Sequence, residues 1–277
     1  MTPPHRRPTQ KVSAVVADVD GTLVTDDKVL TERSRAAVAR LGERGIAFAI
    51  VSSRPPRGLT SLIEALAIRT PVAGFNGGVI ATPDLRILEQ HLLAPDLAGR
   101  AVARLAAQGA DVWIFQGRDW LLQDPRGAKV GLEIRTVRFE PTVVPDLGVA
   151  LDGAAKIVGV SDDFALLTRC EADLAAKLAG RANVVRSQRY YLDITDPRAN
   201  KGAALLAIAR RLAIPISEIA VIGDGLNDVA MFEPAGLAFA MGNAEPEVQA
   251  AADLVTGGNN DDGFADAIER FILGAER

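Results

Sequence analysis

Two short β-branched runs in this chain each end in a tight turn that carries two aspartates. The run at 13–17 (SAVVA) leads straight into Asp18-Val19-Asp20-Gly21-Thr22-Leu23. The run at 219–222 (IAVI) leads into Gly223-Asp224-Gly225-Leu226-Asn227-Asp228. Two carboxylates two residues apart on an extended segment point the same way. Burying like charges at the end of an apolar strand is costly without a compensating cation. Gly21 lets the chain turn sharply and leaves backbone N–H groups open to an anion.

The residues between these turns set the fold. A helix is expected over 31–44, with Thr31 as its N-cap and Gly45 as its stop. A second buried strand follows at 46–51 (IAFAIV), then a helix over 58–68. This strand–helix–strand rhythm predicts parallel βαβ units. From about residue 83 the texture changes. Strands are expected at 85–93, 111–116, 120–123, 137–144, 155–160 and 184–194, with helices at 96–108 and 164–178. After Asp196-Pro197 the first rhythm returns, with a helix over 201–212, strands at 219–222 and 237–240, and a helix starting at 228–232. The expectation is an α/β fold: a Rossmann-like, doubly wound parallel-sheet core at 1–83 and 190–277, interrupted by an α+β cap domain at 84–189. A chain of 277 residues is long enough for both.

Composition narrows the function classes. Lys plus Arg number 31 against 35 Asp plus Glu, for a net charge of −4, which gives no support to nucleic-acid binding. An apolar fraction of 48% rules out a wholly disordered chain. The single cysteine, Cys170, excludes an intrachain disulfide and suits a reducing compartment, so a cytoplasmic location is expected. The only two histidines, His5 and His91, weigh against a His-rich metal site. No uncharged apolar stretch reaches the length of a membrane span. The basic start at residues 1–8 has no apolar secretory core behind it and is expected to be a frayed tail. Nothing demands a protein partner.

Two further polar spots follow or open core elements. Ser52-Ser53-Arg54-Pro55 follows the second strand, where a hydroxyl can donate to a phosphate oxygen. Lys201-Gly202 opens a helix. In an open parallel sheet, ligands bind beyond the carboxyl ends of the strands. Asp18, Asp20, Asp224 and Asp228 converging there would make an oxygen-rich nest for a hard cation, with Mg²⁺ the natural choice. Ser52 and Lys201 would add a donor and a positive charge on the phosphate side. That is a phosphoryl-transfer site in outline.

Taken together, these residues resemble the haloacid dehalogenase-like phosphatase superfamily, in its Cof-type, type IIB branch. DVDGTL is similar to the family's first motif, Ser52 to the second-motif hydroxyl, Lys201 to the third-motif lysine and GDGLND to the fourth. The run DITDPRANKG at 193–202 resembles the stretch before the motif lysine. The resemblance implies a phosphatase of small phosphorylated metabolites, sugar phosphates first. It implies Asp18 as nucleophile, forming an aspartyl-phosphate, and Asp20 as the acid–base group. The Asp18 carboxylate, the Asp20 carbonyl and Asp224 would hold Mg²⁺. Asp228 would either bind the ion or orient its waters. Ser52, Lys201 and Asn227 would hold the phosphoryl oxygens. Ser53 departs from the family's common glycine, which could alter the turn beside the substrate. A phosphomannomutase-like mutase and a non-catalytic phosphometabolite-binding regulator stand as alternatives. Trp113, Phe115 and Trp120 are read as packing of the cap sheet, and Arg118 as an exposed turn residue.

Overall fold

The structure is a computed structural model and describes residues 11–274, so the tail expected at residues 1–8 lies outside the described residues. The first strand, β1 (Ala14–Ala17), is buried along its whole length. Helix α1 (Glu32–Glu43) follows, with Thr31 accepting from the Ser34 N–H as its N-cap. Gly45, at φ +70°, turns the chain out of it. Strand β2 (Ala47–Ile50) lies parallel to β1. Helix α2 (Thr60–Ala65) is shorter than the sequence predicts. A 3-10 turn at Pro56–Leu59 replaces its beginning, where neighbouring prolines have no N–H to donate.

Three short strands then form a separate antiparallel sheet: β3 (Val72–Gly74), β4 (Val79–Ala81) and β5 (Ile87–Gln90). A parallel bridge from Val51 to Ala73 ties this sheet to the end of β2.

The next stretch contains α3 (Pro95–Ala107), β6 (Asp111–Gln116), β7 (Asp119–Leu122), α4 (Val130–Val137), β8 (Thr142–Val143) and β9 (Ala154–Val160). It continues through α5 (Phe164–Lys177), β10 (Asn183–Gln188) and β11 (Tyr191–Thr195). Its six strands run in the order β10-β11-β9-β6-β7-β8, antiparallel except for the last pair. Side chains alternate between the faces of this cap sheet. Ile114, Ile157 and Ile194 meet Leu105 of α3 and Leu167 of α5 on one face. Trp113, Phe115, Val158 and Tyr191 on the other face meet Val130 and Val137 of α4, together with Phe75 and Val79 from beside the core.

Helix α4 departs from the sequence reading, which has a strand over 137–144. The helix starts after Lys129 and stops at Arg138, both in the left-handed region (φ +65° and +61°) and neither a glycine. The usual start and stop signals are therefore missing from the sequence, and the strand shrinks to Thr142–Val143.

The chain then re-enters the core with α6 (Lys201–Leu212), β12 (Ile219–Gly223), α7 (Val229–Phe232), β13 (Leu237–Ala240), α8 (Pro246–Ala251), β14 (Leu254–Val255) and α9 (Gly263–Ala267). The core sheet is parallel throughout, in the order β14-β13-β12-β1-β2. Val15, Ala17 and Ile50 pack toward α1 and α9 on one face. Val16, Ala49 and Val221 pack toward Leu205 and Ile208 of α6 on the other. Helices on both faces explain why these strands read as continuous apolar runs. The fold is α/β, with a parallel core and an added cap sheet. No helix among the described residues is long and apolar enough to cross a membrane.

Candidate active site

Strands β1 and β12 are neighbours in register, Ala17 opposite Ile222, so the two aspartate turns emerge side by side. The Asp18 N–H extends the ladder by donating to the Ile222 carbonyl at 2.9 Å. Gly21, at φ +82°, allows the closest approach of the turns. A Cβ there would sit 2.2 Å from Asp224 Oδ2, so no other residue fits without moving that carboxylate. Thr22 Oγ1 donates to Asp224 Oδ1 at 2.9 Å and fixes its orientation. Asp228 Oδ2 accepts from the backbone N–H groups of Asp224 and Gly225 at 3.0 and 2.9 Å, which closes the second turn on itself.

Lys201 reaches into this cluster from the first residue of α6. Asn200 caps the helix by accepting from the Ala203 N–H. The Lys201 side chain is 1% exposed, and its ammonium donates to Asp18 Oδ1 at 2.6 Å and Asp228 Oδ1 at 2.7 Å. Burial works against its charge, but the Asp18 and Asp228 carboxylates override that and raise its pKa. Burial raises Asp18 well above the ordinary carboxylate range. The Asp228 and Asp224 charges add to this, and Lys201 opposes it. Asp224 is pushed up to about 6 by burial and then by Asp228.

Oxygen atoms of Asp18, Asp224 and Asp228 lie within 4.8 Å of one another. With all three carboxylates ionised, one ammonium would leave two negative charges uncompensated in a mostly buried pocket. This donor set fits a hard divalent cation, which takes carboxylate oxygens and keeps its remaining waters.

Asp20 turns away from the cluster. Arg54 grips it through two nitrogens, Nε to Oδ2 and Nη2 to Oδ1, each at 2.7 Å. The Lys28 ammonium stands 2.8 Å from Oδ1. Burial alone would raise Asp20, but hydrogen bonds and charge from Arg54, then Lys28, hold it down at about 2. Ser52 is fully buried, and its Oγ accepts from the Arg54 N–H at 3.1 Å. The Ser52 carbonyl accepts from the Asn76 N–H, and Asn76 Oδ1 accepts from Asn227 Nδ2 at 3.0 Å. The structure thus brings Asp18, Asp224, Asp228 and Lys201 into direct contact or close approach. Asp20, Ser52 and Asn227 join them along an adjoining run of bonds.

Sequence reasoning gives no role to Arg54, Lys28 or Asn243, and reads Asn76-Gly77-Gly78 equally as facing the site or as a tight turn. Asn243 Nδ2 donates to the Gly21 carbonyl at 2.9 Å and braces the first turn. Arg54 directly follows the flagged Ser52-Ser53 pair, so the signal was present there. Nothing local marks Lys28 or Asn243. The aromatic cap residues are packed, as the sequence reading has them, with Trp113 and Trp120 ring centroids 4.9 Å apart. Arg118 reaches the Asp84 carbonyl from its exposed turn.

Comparison with known proteins agrees with this geometry. The family model described as haloacid dehalogenase-like hydrolase matches residues 15–268. The chain is 27% identical over 285 residues to the phosphatase YwpJ of Bacillus subtilis, covering 93% of this chain and 99% of that protein. It is 29% identical over 236 residues to the HMP-PP phosphatase of Cronobacter sakazakii, covering 84% and 85%. Among solved structures, a haloacid dehalogenase-like hydrolase from Bacteroides thetaiotaomicron superposes with a TM-score of 0.86 at 28% identity, covering 94% of this chain and 99% of that one. The chain belongs to the haloacid dehalogenase-like hydrolase family. Within that family it is an enzyme of the phosphoric monoester hydrolase class.

Proposed function

We propose that this chain is a Mg²⁺-dependent phosphatase of small phosphorylated metabolites, sugar phosphates first, working through an aspartyl-phosphate on Asp18. The observation that carries this reading is the buried Lys201 ammonium between Asp18 and Asp228, with Asp224 alongside, at the ends of two central parallel strands. Asp18, the Asp20 carbonyl and Asp224 would hold the ion, and Asp228 would either join them or orient waters. When bound, the ion offsets negative charge on the phosphoryl group.

An Asp18 carboxylate oxygen attacks phosphorus, and the bond from phosphorus to the leaving oxygen breaks. Asp20 gives that oxygen a proton. Water then attacks phosphorus, Asp20 takes a proton from it, and the release of phosphate restores Asp18. Ser52, Lys201 and Asn227 hold the phosphoryl oxygens and spread their charge. Arg54 and Lys28 keep Asp20 ionised at rest. An incoming phosphoryl group competes for these two cations, and Asp20, released from them, takes up from solvent the proton that it gives to the leaving oxygen. Residues 84–189, with β11 added, are proposed to act as a cap over a core made from 1–83 and the remainder of the chain. Closure would exclude water from the first step.

The test is inorganic phosphate release from a panel of phosphorylated metabolites, with Mg²⁺ or with chelator, by wild type and Asp18→Asn. Release that needs the metal and disappears in the variant supports the reading. Phosphate moved to a second position on the sugar, with none set free, would replace it with a mutase. Full activity in Asp18→Asn would remove Asp18 as nucleophile.

A further inference from the structure

Asp193 lies in β11, on the cap-sheet face that looks toward the core, and is 5% exposed. Its Oδ1 accepts a hydrogen bond from no described residue. The Lys156 ammonium stands 2.5 Å from Oδ2 and holds that oxygen in a buried ion pair. Lys156 projects from β9 on the same face: it is opposite Thr195, while Asp193 is opposite Val158. Two residues before Asp193, Tyr191 donates its hydroxyl to Glu133 Oε2 of α4 at 3.1 Å. Three residues after Glu133, the Thr136 carbonyl accepts from Arg54 Nη1 at 3.1 Å. This side of α4 therefore rests on the guanidinium that grips Asp20. Burial raises the Glu133 pKa, and the charge of Asp20 is among the lesser contributions. The polar patch thus faces the proposed acid–base group across the interface between cap and core.

A buried carboxylate oxygen without a donor, as Asp193 Oδ1 is, calls for an explanation. Asp193 and Lys156 cancel each other's charge, so the patch offers no spare cation. Asp193 Oδ1 awaits a donor. Trp113, Phe115 and Trp120 of the same face are covered by packing, so these three rings offer no surface for a base to stack on.

We propose that Asp193, Lys156, Glu133 and Tyr191 form the leaving-group subsite, which takes a neutral, hydroxyl-bearing group and rejects a second anion. This rests on the phosphatase reading above. Hydroxyl groups of the substrate donate to Asp193 and Glu133, and their oxygens accept from Lys156. A carboxylate or second phosphate at that end meets carboxylates and a lysine already paired.

Two linear six-carbon phosphates separate these cases, glucitol 6-phosphate and 6-phosphogluconate, which differ by a carboxylate at the far end. Wild type should prefer glucitol 6-phosphate in kcat/KM by about tenfold or more, the value of a hydrogen bond to a charged group. Asp193→Asn leaves the Lys156 ammonium without a counter-charge, so the preference should collapse or invert, mainly through KM. A merely structural ion pair would lower both activities together and leave their ratio intact, which overturns the proposal. So does a wild type with no preference. If Asp193→Asn does not fold, Tyr191→Phe carries the test. Its KM for glucitol 6-phosphate should rise more than its kcat falls, and an unmoved KM overturns the assignment. p-Nitrophenyl phosphate, whose leaving group has no hydroxyl donors, serves as the wild-type control. Turnover of that ester without the sugar preference overturns the subsite alone. No turnover of any of the three overturns the phosphatase reading and the subsite with it.

Discussion

Replacing Lys201 with methionine keeps the length of the side chain and removes its charge. The ammonium is 1% exposed and lies 2.6 and 2.7 Å from two buried carboxylates. Without it, Asp18 and Asp228 face each other in low dielectric beside Asp224, with no cation. Removing one partner of a buried ion pair costs roughly 3–5 kcal/mol. For a chain of this size each kcal/mol moves Tm by about 2–4 °C. Lys201→Met should therefore melt about 6–20 °C below wild type in chelator at neutral pH, read by circular dichroism or calorimetry. Excess Mg²⁺ should narrow the gap, because an ion among the aspartates restores positive charge and binds only the folded state. Lys201→Met/Asp228→Asn should recover part of the loss, since it removes one orphaned charge. A variant that melts within about 2 °C of wild type in chelator would show that the ammonium compensates no buried charge, because a loss that small is under about 1 kcal/mol.

Arg54→Lys cannot reproduce a two-nitrogen grip on Asp20 together with a bond to the Thr136 carbonyl, because lysine has one nitrogen. Amide exchange in α4 should speed up, and wild-type protection there would refute the clasp. Gly202→Ala puts a Cβ 2.3 Å from the Ala230 carbonyl oxygen, a backbone atom that cannot step aside. The start of α6 must shift and carry Lys201 with it, so phosphate release should fall at least about tenfold, the equivalent of 1.4 kcal/mol; a stabler and fully active variant, as expected of an unhindered helical Gly→Ala change, would refute the close approach. Glu133 has its pKa raised above the ordinary 4.5, chiefly by burial. The folded state therefore holds this proton more tightly than the unfolded chain, and ionised Glu133 costs stability as pH rises past the unfolded value. Glu133→Gln should raise Tm at pH 8, with the gain fading toward pH 4.5. A gain that is constant with pH would refute the sign.

The sheet core was legible because its strands are short, apolar on both faces and punctuated by aspartate and glycine. β1, β12 and β13 appear within a residue of their expected bounds. Lys201 was legible by its place at the start of a helix, and the structure adds that the side chain is buried. Helix α4 was not legible, because its ends rest on Lys129 and Arg138 in a conformation that only the packing around them enforces. Arg54 stood within a flagged polar run after a strand, but the role there went to Ser52. The partner of Arg54, Asp20, is 34 positions earlier, and no local pattern carries such a pairing. The Lys156–Asp193 pair was hidden in the same way, since a polar residue inside a strand is normally taken to face water.

The order of strands in the core sheet carries a consequence for synthesis. β1 finds one neighbour, β2, about thirty residues later, but its other neighbour, β12, ends at Gly223. All six strands of the cap sheet are complete by Thr195. On the ribosome, the inserted unit has its full set of strands while β1 of the catalytic sheet still has a bare edge. Such an edge is a template for pairing with another chain. The interval between residues 195 and 223 is thus when the nascent protein most needs shielding, and its first aspartate turn spends that interval waiting for both its lysine and its partner turn.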